Sequence, residues 1–107
     1  LDWEFAGWSD PQEDYGWFTA KCWRRHGWSK PAGGIGSLDA FARGYRAGGG
    51  EPPTDDHLRF WQGFAHLRWA LIALEQVERG RRNGSLELML LGRRLPELEH
   101  ELLRLGA

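Results

Sequence analysis

The sequence has little of what several protein classes require. One cysteine among 107 residues excludes an internal disulfide framework. Fourteen Lys and Arg residues nearly balance fifteen Asp and Glu residues. The net charge of -1 lacks the excess of positive charge that is typical of proteins that bind nucleic acid or an anionic membrane. No apolar run approaches the roughly 20 residues that a membrane-spanning helix needs. We therefore expect no nucleic-acid partner and no membrane partner.

The start of the chain lacks two further features. Position 1 is leucine rather than methionine, and no basic-then-apolar signal segment follows it. We therefore expect the chain to be a piece of a longer protein that works in the cytoplasm. At this length one compact domain over residues 1–107 is the natural prediction.

Glycine and tryptophan, by contrast, are abundant. The 15 glycines are about double the usual share of roughly 7%, and seven tryptophans are many for a small domain. The hydrophobic share of 41% excludes an intrinsically disordered chain. Because a small domain has a limited interior, we expect some of this aromatic surface to pack against another domain or chain.

Two helices are predicted in the first half of the sequence. Asp10 can cap a helix that has Pro11 at its first position, and we expect this helix to end near Gly27. Ser37 can cap a second, short helix. The three glycines at 48–50 end that second helix.

Two further helical regions are predicted in the second half. The longest helix starts after Thr54 and ends at the Asn-Gly turn at 83–84. Apolar residues surround most of its circumference, which predicts a central helix that is buried on nearly all sides. The last region starts after Ser85, and Pro96 interrupts it, so we expect two helices or a kink between residues 91 and 95.

The predicted fold class is therefore all-α, and only Leu1–Trp3 suggests the stump of a strand. In an extended segment Asp2 and Glu4 point to the same face, about 7 Å apart. That spacing suits joint binding of a hard cation such as Mg²⁺. Two solvated carboxylates at a frayed chain end would show the same pattern.

Other candidate residues also have two interpretations. Arg68 lies inside the apolar part of the longest helix, so it needs either a structural carboxylate or an anionic ligand. The glycine-rich loop at 33–36 precedes a helix and could bind an anion, or it could be a point of close packing. Cys22 and His26 are four residues apart, but no second pair completes a zinc site. The tryptophan-rich faces could stack a ligand or pack in the core or between domains.

Several stretches together resemble one enzyme family. Residues 1–11 (LDWEFAGWSDP) and 14–17 (DYGW) resemble the D-W-E-x-A and G-D-P-x-x-D-L-G motifs of aminoglycoside phosphotransferases, which are kinase-like enzymes related to choline kinases. Ser9 replaces the usual Gly of the second motif, and Tyr15 replaces the usual Leu. Stretches that resemble a bacterial subgroup, similar to the kinase-like modules associated with acyl-CoA dehydrogenases, lie at 31–37, 59–61, 67–69 and 91–94.

The resemblance implies roles for individual residues. Asp2 matches the Asp that holds Mg²⁺ on the ATP phosphates, and Glu4 matches a second metal contact that some relatives use. Asp14 matches the Asp that braces the catalytic loop. The family's nucleotide-covering lobe, its phosphate-binding Lys and its catalytic loop lie upstream of D-W-E, and this chain contains none of the three. The missing lobe, or another chain, is therefore an expected partner.

The helical remainder then corresponds to the acceptor-binding wall of such an enzyme. The implied wall residues are Trp23, Arg68 and Trp69. The parent protein is expected to be a Mg²⁺- and ATP-dependent phosphotransferase that acts on the hydroxyl of a small molecule, and the subgroup favours a hydroxylated acyl compound. The chain alone is expected to be inactive and to hold neither ATP nor Mg²⁺ tightly. The alternatives are a non-enzymatic helical interaction module and a fragment without activity.

Overall fold

A computed structural model describes residue 3 and residues 5–106. In this part of the chain there are five α helices: α1 (Gln12–Thr19), α2 (Leu38–Ala47), α3 (Asp55–Asn83), α4 (Leu86–Leu90) and α5 (Leu95–Gly106). Short 3₁₀ turns lie at Lys21–Trp23 and Leu91–Arg94. The β structure found in the described residues is one isolated bridge between Ala32 and Gly36. The all-α prediction is confirmed.

The predicted strand stump at Leu1–Trp3 falls mainly on Leu1 and Asp2, which lie outside the described residues. Trp3 is described and belongs to no helix or strand. None of the helices within the described ranges combines the length and the apolar character needed to cross a bilayer.

Side-chain caps start three of the helices where the sequence predicts them, whereas α1 begins at Gln12, one residue after the predicted start at Pro11. Ser37, Thr54 and Ser85 each accept a hydrogen bond from the backbone N–H three residues later, at 3.2, 3.4 and 3.4 Å. Oδ1 of Asp10 accepts a hydrogen bond from the backbone N–H of Gln12 at 2.8 Å. Each bond satisfies one of the donors that a helix leaves unpaired at its first turn.

Helix α1 is shorter than the sequence predicts. It ends at Thr19 rather than near Gly27, because Ala20 takes an extended conformation with ψ of 141°. The chain then makes a 3₁₀ turn, which brings the ring of Trp23 to 5.0 Å from the ring of Trp17. The turn also brings Trp23 to 5.1 Å from the ring of Trp69 on α3, and in a continuous helix residues 17 and 23 would lie on different faces.

The break in the last helical region is confirmed. The 3₁₀ turn Leu91–Arg94 separates α4 from α5, and Pro96 is the second residue of α5. Proline is tolerated there because the first turn of a helix has no intrahelical partner for its N–H groups.

Helix α3 is central, but it is not buried on nearly all sides. It packs against α1, α4, α5 and both 3₁₀ turns, and its buried residues include Ala65, Ile72 and Ala73. The core around it contains Ala20, Cys22 and Leu98. Five large side chains of α3 remain exposed, by 39 to 62% of their surface: Phe60, Phe64, Leu67, Leu71 and Leu74. We call these five residues the α3 stripe. The prediction of all-round burial is wrong because the other elements cover only one side of the helix.

Helices α1 and α3 approach each other closely at Gly16. A Cβ atom added at this glycine would lie 2.3 Å from Cβ of Trp61 and 2.7 Å from its backbone carbon. Only a residue without a side chain fits between the two backbones. The next residue on α1, Trp17, lines a cavity together with residues of α3.

Helix α2 is attached differently. None of its ten residues, all of which the structure describes, is buried. It is held by aromatic rings: the ring of Phe41 lies 4.6 Å from that of Tyr15 and 4.8 Å from that of Phe18, and Tyr45 lies 5.1 Å from Tyr15.

Candidate functional site

A cavity of about 320 Å³ opens between α1, α3 and the first 3₁₀ turn. Three indole rings dominate its wall, and we call it the tryptophan cavity. Its rings and charged groups come from Phe5, Glu13, Asp14, Trp17, Trp23, Arg68 and Trp69. A second cavity of about 570 Å³ adjoins it, shares Phe5, Glu13, Asp14 and Arg68, and is also lined by Trp3 and residues 6–11.

Four residues singled out from the sequence meet at the tryptophan cavity. Asp14 comes from α1, Trp23 from the 3₁₀ turn, and Arg68 and Trp69 from α3. The proposed metal residues, Asp2 and Glu4, lie outside the described residues.

Arg68 has the carboxylate partner that was one of its two predicted options. Its Nη1 donates to Oε1 of Glu13 at 2.6 Å, and its Nη2 donates to the backbone oxygen of Phe5 at 3.0 Å. The guanidinium carbon lies 5.4 Å from the ring of Trp17 and 5.8 Å from that of Phe5, which is cation–π distance. A guanidinium has five N–H donors. Arg68 therefore holds the N-terminal segment against α1 and keeps donors beyond these two bonds.

The indole rings form a continuous series along the cavity. The ring of Trp23 lies 5.0 Å from that of Trp17 and 5.1 Å from that of Trp69. Nε1 of Trp23 and Nε1 of Trp69 are buried and have no hydrogen-bond partner among the described residues. A buried donor left unpaired costs about 1–3 kcal/mol.

The cavity is weakly acidic. The two carboxylates of Glu13 and Asp14 face the one guanidinium of Arg68, which leaves one net negative charge. Glu13 is occupied by its ion pair with Arg68, at 2.6 Å. Asp14 is exposed, so its carboxylate oxygens can accept hydrogen bonds from a hydroxylated ligand.

A buried ionic cluster, which the sequence analysis missed, fixes one wall of the cavity. Glu101 on α5 is 1% exposed, and it accepts hydrogen bonds from Lys21 Nζ at 2.6 Å and Arg104 Nε at 2.8 Å. Burial raises the pKa of Glu101, but the hydrogen bonds from Lys21 and Arg104 outweigh it and hold the pKa below its ordinary value. Because Lys21 begins the turn that carries Trp23, this cluster positions Trp23.

The remaining candidates from the sequence do not join this site. Gly33 and Gly34 have positive φ angles, and a Cβ atom on the neighbouring Gly27 would lie 2.1 Å from the backbone oxygen of Gly34. This geometry favours close packing over anion binding for the glycine-rich loop. Cys22 is buried whereas His26 is exposed, so they share no site. Over residue 3 and residues 5–106, no group of three or more His, Cys, Asp or Glu side chains is arranged to hold a metal ion.

Three comparisons with known proteins identify no relative of this chain. A scan against protein-family models matches none of them, and searches of curated proteins and of solved structures give no significant match. The resemblance to aminoglycoside phosphotransferases is therefore carried by the sequence motifs alone, and function has to be argued from the cavity.

Proposed function

We propose that this chain forms the acceptor-binding wall of a small-molecule phosphotransferase. The parent would be a cytoplasmic enzyme that transfers the γ-phosphoryl group of ATP to a substrate hydroxyl. The observation that supports the proposal most is the meeting of Trp23, Arg68 and Trp69 at one cavity, next to Asp14. These residues come from three separate elements, and their grouping follows from the fold rather than from their spacing in the sequence.

The groups in the cavity suit an acceptor that is part apolar and part hydroxylated. Indole faces can cover an apolar chain or ring, and the N–H groups of Arg68 beyond its two bonds can donate to its oxygen atoms. The carboxylate of Asp14 can accept a hydrogen bond from a hydroxyl. The volume of about 320 Å³ is near the lower end of the range of about 300–1,000 Å³ for small-molecule sites. This combination fits the hydroxylated acyl compounds that the subgroup resemblance implies.

Phosphoryl transfer depends mainly on positioning and on charge stabilisation. In this proposal the chain's cavity residues position the acceptor and keep water from it. Asp2 and Glu4 supply carboxylates of the kind that Mg²⁺ takes, and Mg²⁺ would neutralise charge on the ATP phosphates. The lobe that covers ATP would come from the remainder of the parent protein.

The first test is the intact mass of the natural protein beside the 12.3 kDa of this chain. We expect a species of about three times that mass, and we expect it to transfer phosphate from Mg²⁺-ATP to members of a panel of hydroxylated acyl compounds. A natural species of 12.3 kDa that transfers no phosphate would refute the proposal.

A pair of variants of the natural protein tests the cavity itself. Trp69→Phe keeps an aromatic ring but shrinks the indole face that lines the cavity, so we expect the KM for the acceptor to rise severalfold, up to about tenfold, while the KM for ATP stays unchanged. Trp28→Phe is the matched control, because Trp28 is 52% exposed and lies outside the cavity. Equal effects of the two variants would show that Trp69 does not contact the acceptor.

The non-enzymatic interaction module is a second candidate because of one observation, the exposure of the α3 stripe. The largest contiguous apolar patch on the surface of a soluble protein is often a functional contact surface. A natural 12.3 kDa protein without transferase activity but with a stable macromolecular partner would favour this candidate over the first.

A further inference from the structure

The α3 stripe has the periodicity of a coiled-coil seam. Its five residues are spaced four, three, four and three positions apart, which is the alternation of a and d positions in a heptad repeat. The buried residues Gln62, Ala65, His66, Ile72 and Ala73 lie on the opposite face of the same helix. One face of α3 is therefore packed in the core, while the α3 stripe on the opposite face is exposed.

The seam is large enough to contribute substantially to an interface. From residue 60 to residue 74 it spans about 21 Å at 1.5 Å per residue. Its exposed side chains offer on the order of 400 Å² per copy, about half of the roughly 800 Å² per partner in a standard interface. A groove of about 440 Å³ between α3 and α5, lined by Leu102 and Leu105 as well as by stripe residues, adds to this surface.

The charges at the ends of α3 select an orientation. The first turn of the helix carries Asp55 and Asp56, and the last turn carries Arg81 and Arg82. When two such helices lie antiparallel, the acidic end of each meets the basic end of the other, whereas a parallel pair brings like charges together. The helix dipoles also favour the antiparallel arrangement.

We propose that the α3 stripe is the interface of a homodimer in which two copies of α3 pack antiparallel. When the two helices are aligned end to end, Leu67 of one copy lies opposite Leu71 of the second. Phe64 then lies opposite Leu74 of the second copy, and Asp56 lies opposite Arg82 of the second copy. The proposal is independent of the phosphotransferase activity. In it, the α3 stripe of a second copy covers the exposed stripe.

The first experiment measures the mass of the full 107-residue chain by sedimentation equilibrium over a wide range of concentration. We expect twice the monomer mass of 12.3 kDa. The double variant Leu67→Lys/Leu71→Lys puts charge into the two central layers and should raise the dimer dissociation constant roughly a hundredfold or more. Its helical circular dichroism should match the wild type, because both side chains are exposed in the monomer.

Ile35→Lys is the matched control, since Ile35 is 77% exposed and lies in a loop away from α3. It should leave the dissociation constant unchanged. A wild-type chain that stays monomeric at every concentration overturns the proposal. So does a double variant that dimerises as well as the wild type, because the interface would then lie elsewhere.

A charge swap tests the orientation. Asp56→Arg should weaken the dimer severalfold, because it places like charges opposite each other in an antiparallel pair. The double variant Asp56→Arg/Arg82→Asp should restore the dissociation constant. A double variant as weak as Asp56→Arg alone would overturn the antiparallel arrangement.

Discussion

Replacing Gly16 with alanine tests the close approach of α1 to α3. The added Cβ atom would lie 2.3 Å from Cβ of Trp61 and 2.7 Å from its backbone carbon, both well short of the 3.4–4 Å of ordinary contact. Alanine would otherwise stabilise a helix interior by roughly 0.5–1 kcal/mol relative to glycine. Overpacking of a well-packed contact costs typically about 1–3 kcal/mol. Because backbone atoms cannot rotate away, the cost should exceed the gain, and we expect the free energy of unfolding to fall by about 1–2 kcal/mol.

Gly63→Ala is the matched control for this substitution. Gly63 also lies inside a helix, but an added Cβ atom would have no neighbour within 4 Å. It should raise the free energy of unfolding by roughly 0.5–1 kcal/mol. Urea unfolding followed by circular dichroism measures both variants, and for a domain of this size 1 kcal/mol corresponds to about 4–8 °C in Tm. If Gly16→Ala is as stable as Gly63→Ala, the helix contact described above is incorrect.

Three further predictions concern the core and its ionic cluster. Because the hydrogen bonds from Lys21 and Arg104 lower the pKa of folded Glu101, stability from this group is present above its unfolded pKa and is lost as the pH falls through the folded pKa. Glu101→Gln should remove that part of the acid dependence of urea unfolding, and an unchanged profile would contradict it. Burial raises the pKa of Cys22 to about 12, so a thiol reagent should label it only as fast as the chain unfolds. Leu98→Ala should cost about 2–5 kcal/mol, because its side chain is fully buried, and a loss below 1 kcal/mol in chemical denaturation would place it outside the core.

Local chemistry explains which parts of the fold the sequence predicts. Helix starts at Ser37, Thr54 and Ser85 depend on bonds to a residue three positions away, so the pattern alone locates them. The end of α1 coincides instead with packing of Trp23 against Trp69 on α3, a contact between distant segments that no local signal contains. The same limit applies to α3: periodicity identifies two apolar faces, but it does not tell which face the other helices cover.

The candidate site shows the same division. A charged residue within an apolar helix indicates that Arg68 has a partner, but Glu13 lies 55 positions earlier in the sequence, so only the fold identifies it. Glu101 was missed because α5 also carries Glu97 and Glu99, and a glutamate on a surface helix usually faces solvent. The sequence did contain one indication of its burial: Glu101 lies three residues after Leu98, which places both side chains on the same face of α5.

The attachment of α2 through aromatic rings has a consequence for local opening. Since α2 buries none of its ten residues, it can detach by separating Phe41 and Tyr45 from the rings on α1 while the core around α3 stays intact. Its amide protons should therefore exchange with solvent deuterium at a lower free energy than those of α3, which exchange only when the whole chain unfolds. Residues 37–53 then behave as a separate cooperative unit, and a protease should cut the chain there, next to the glycines at 48–50, while the rest remains folded.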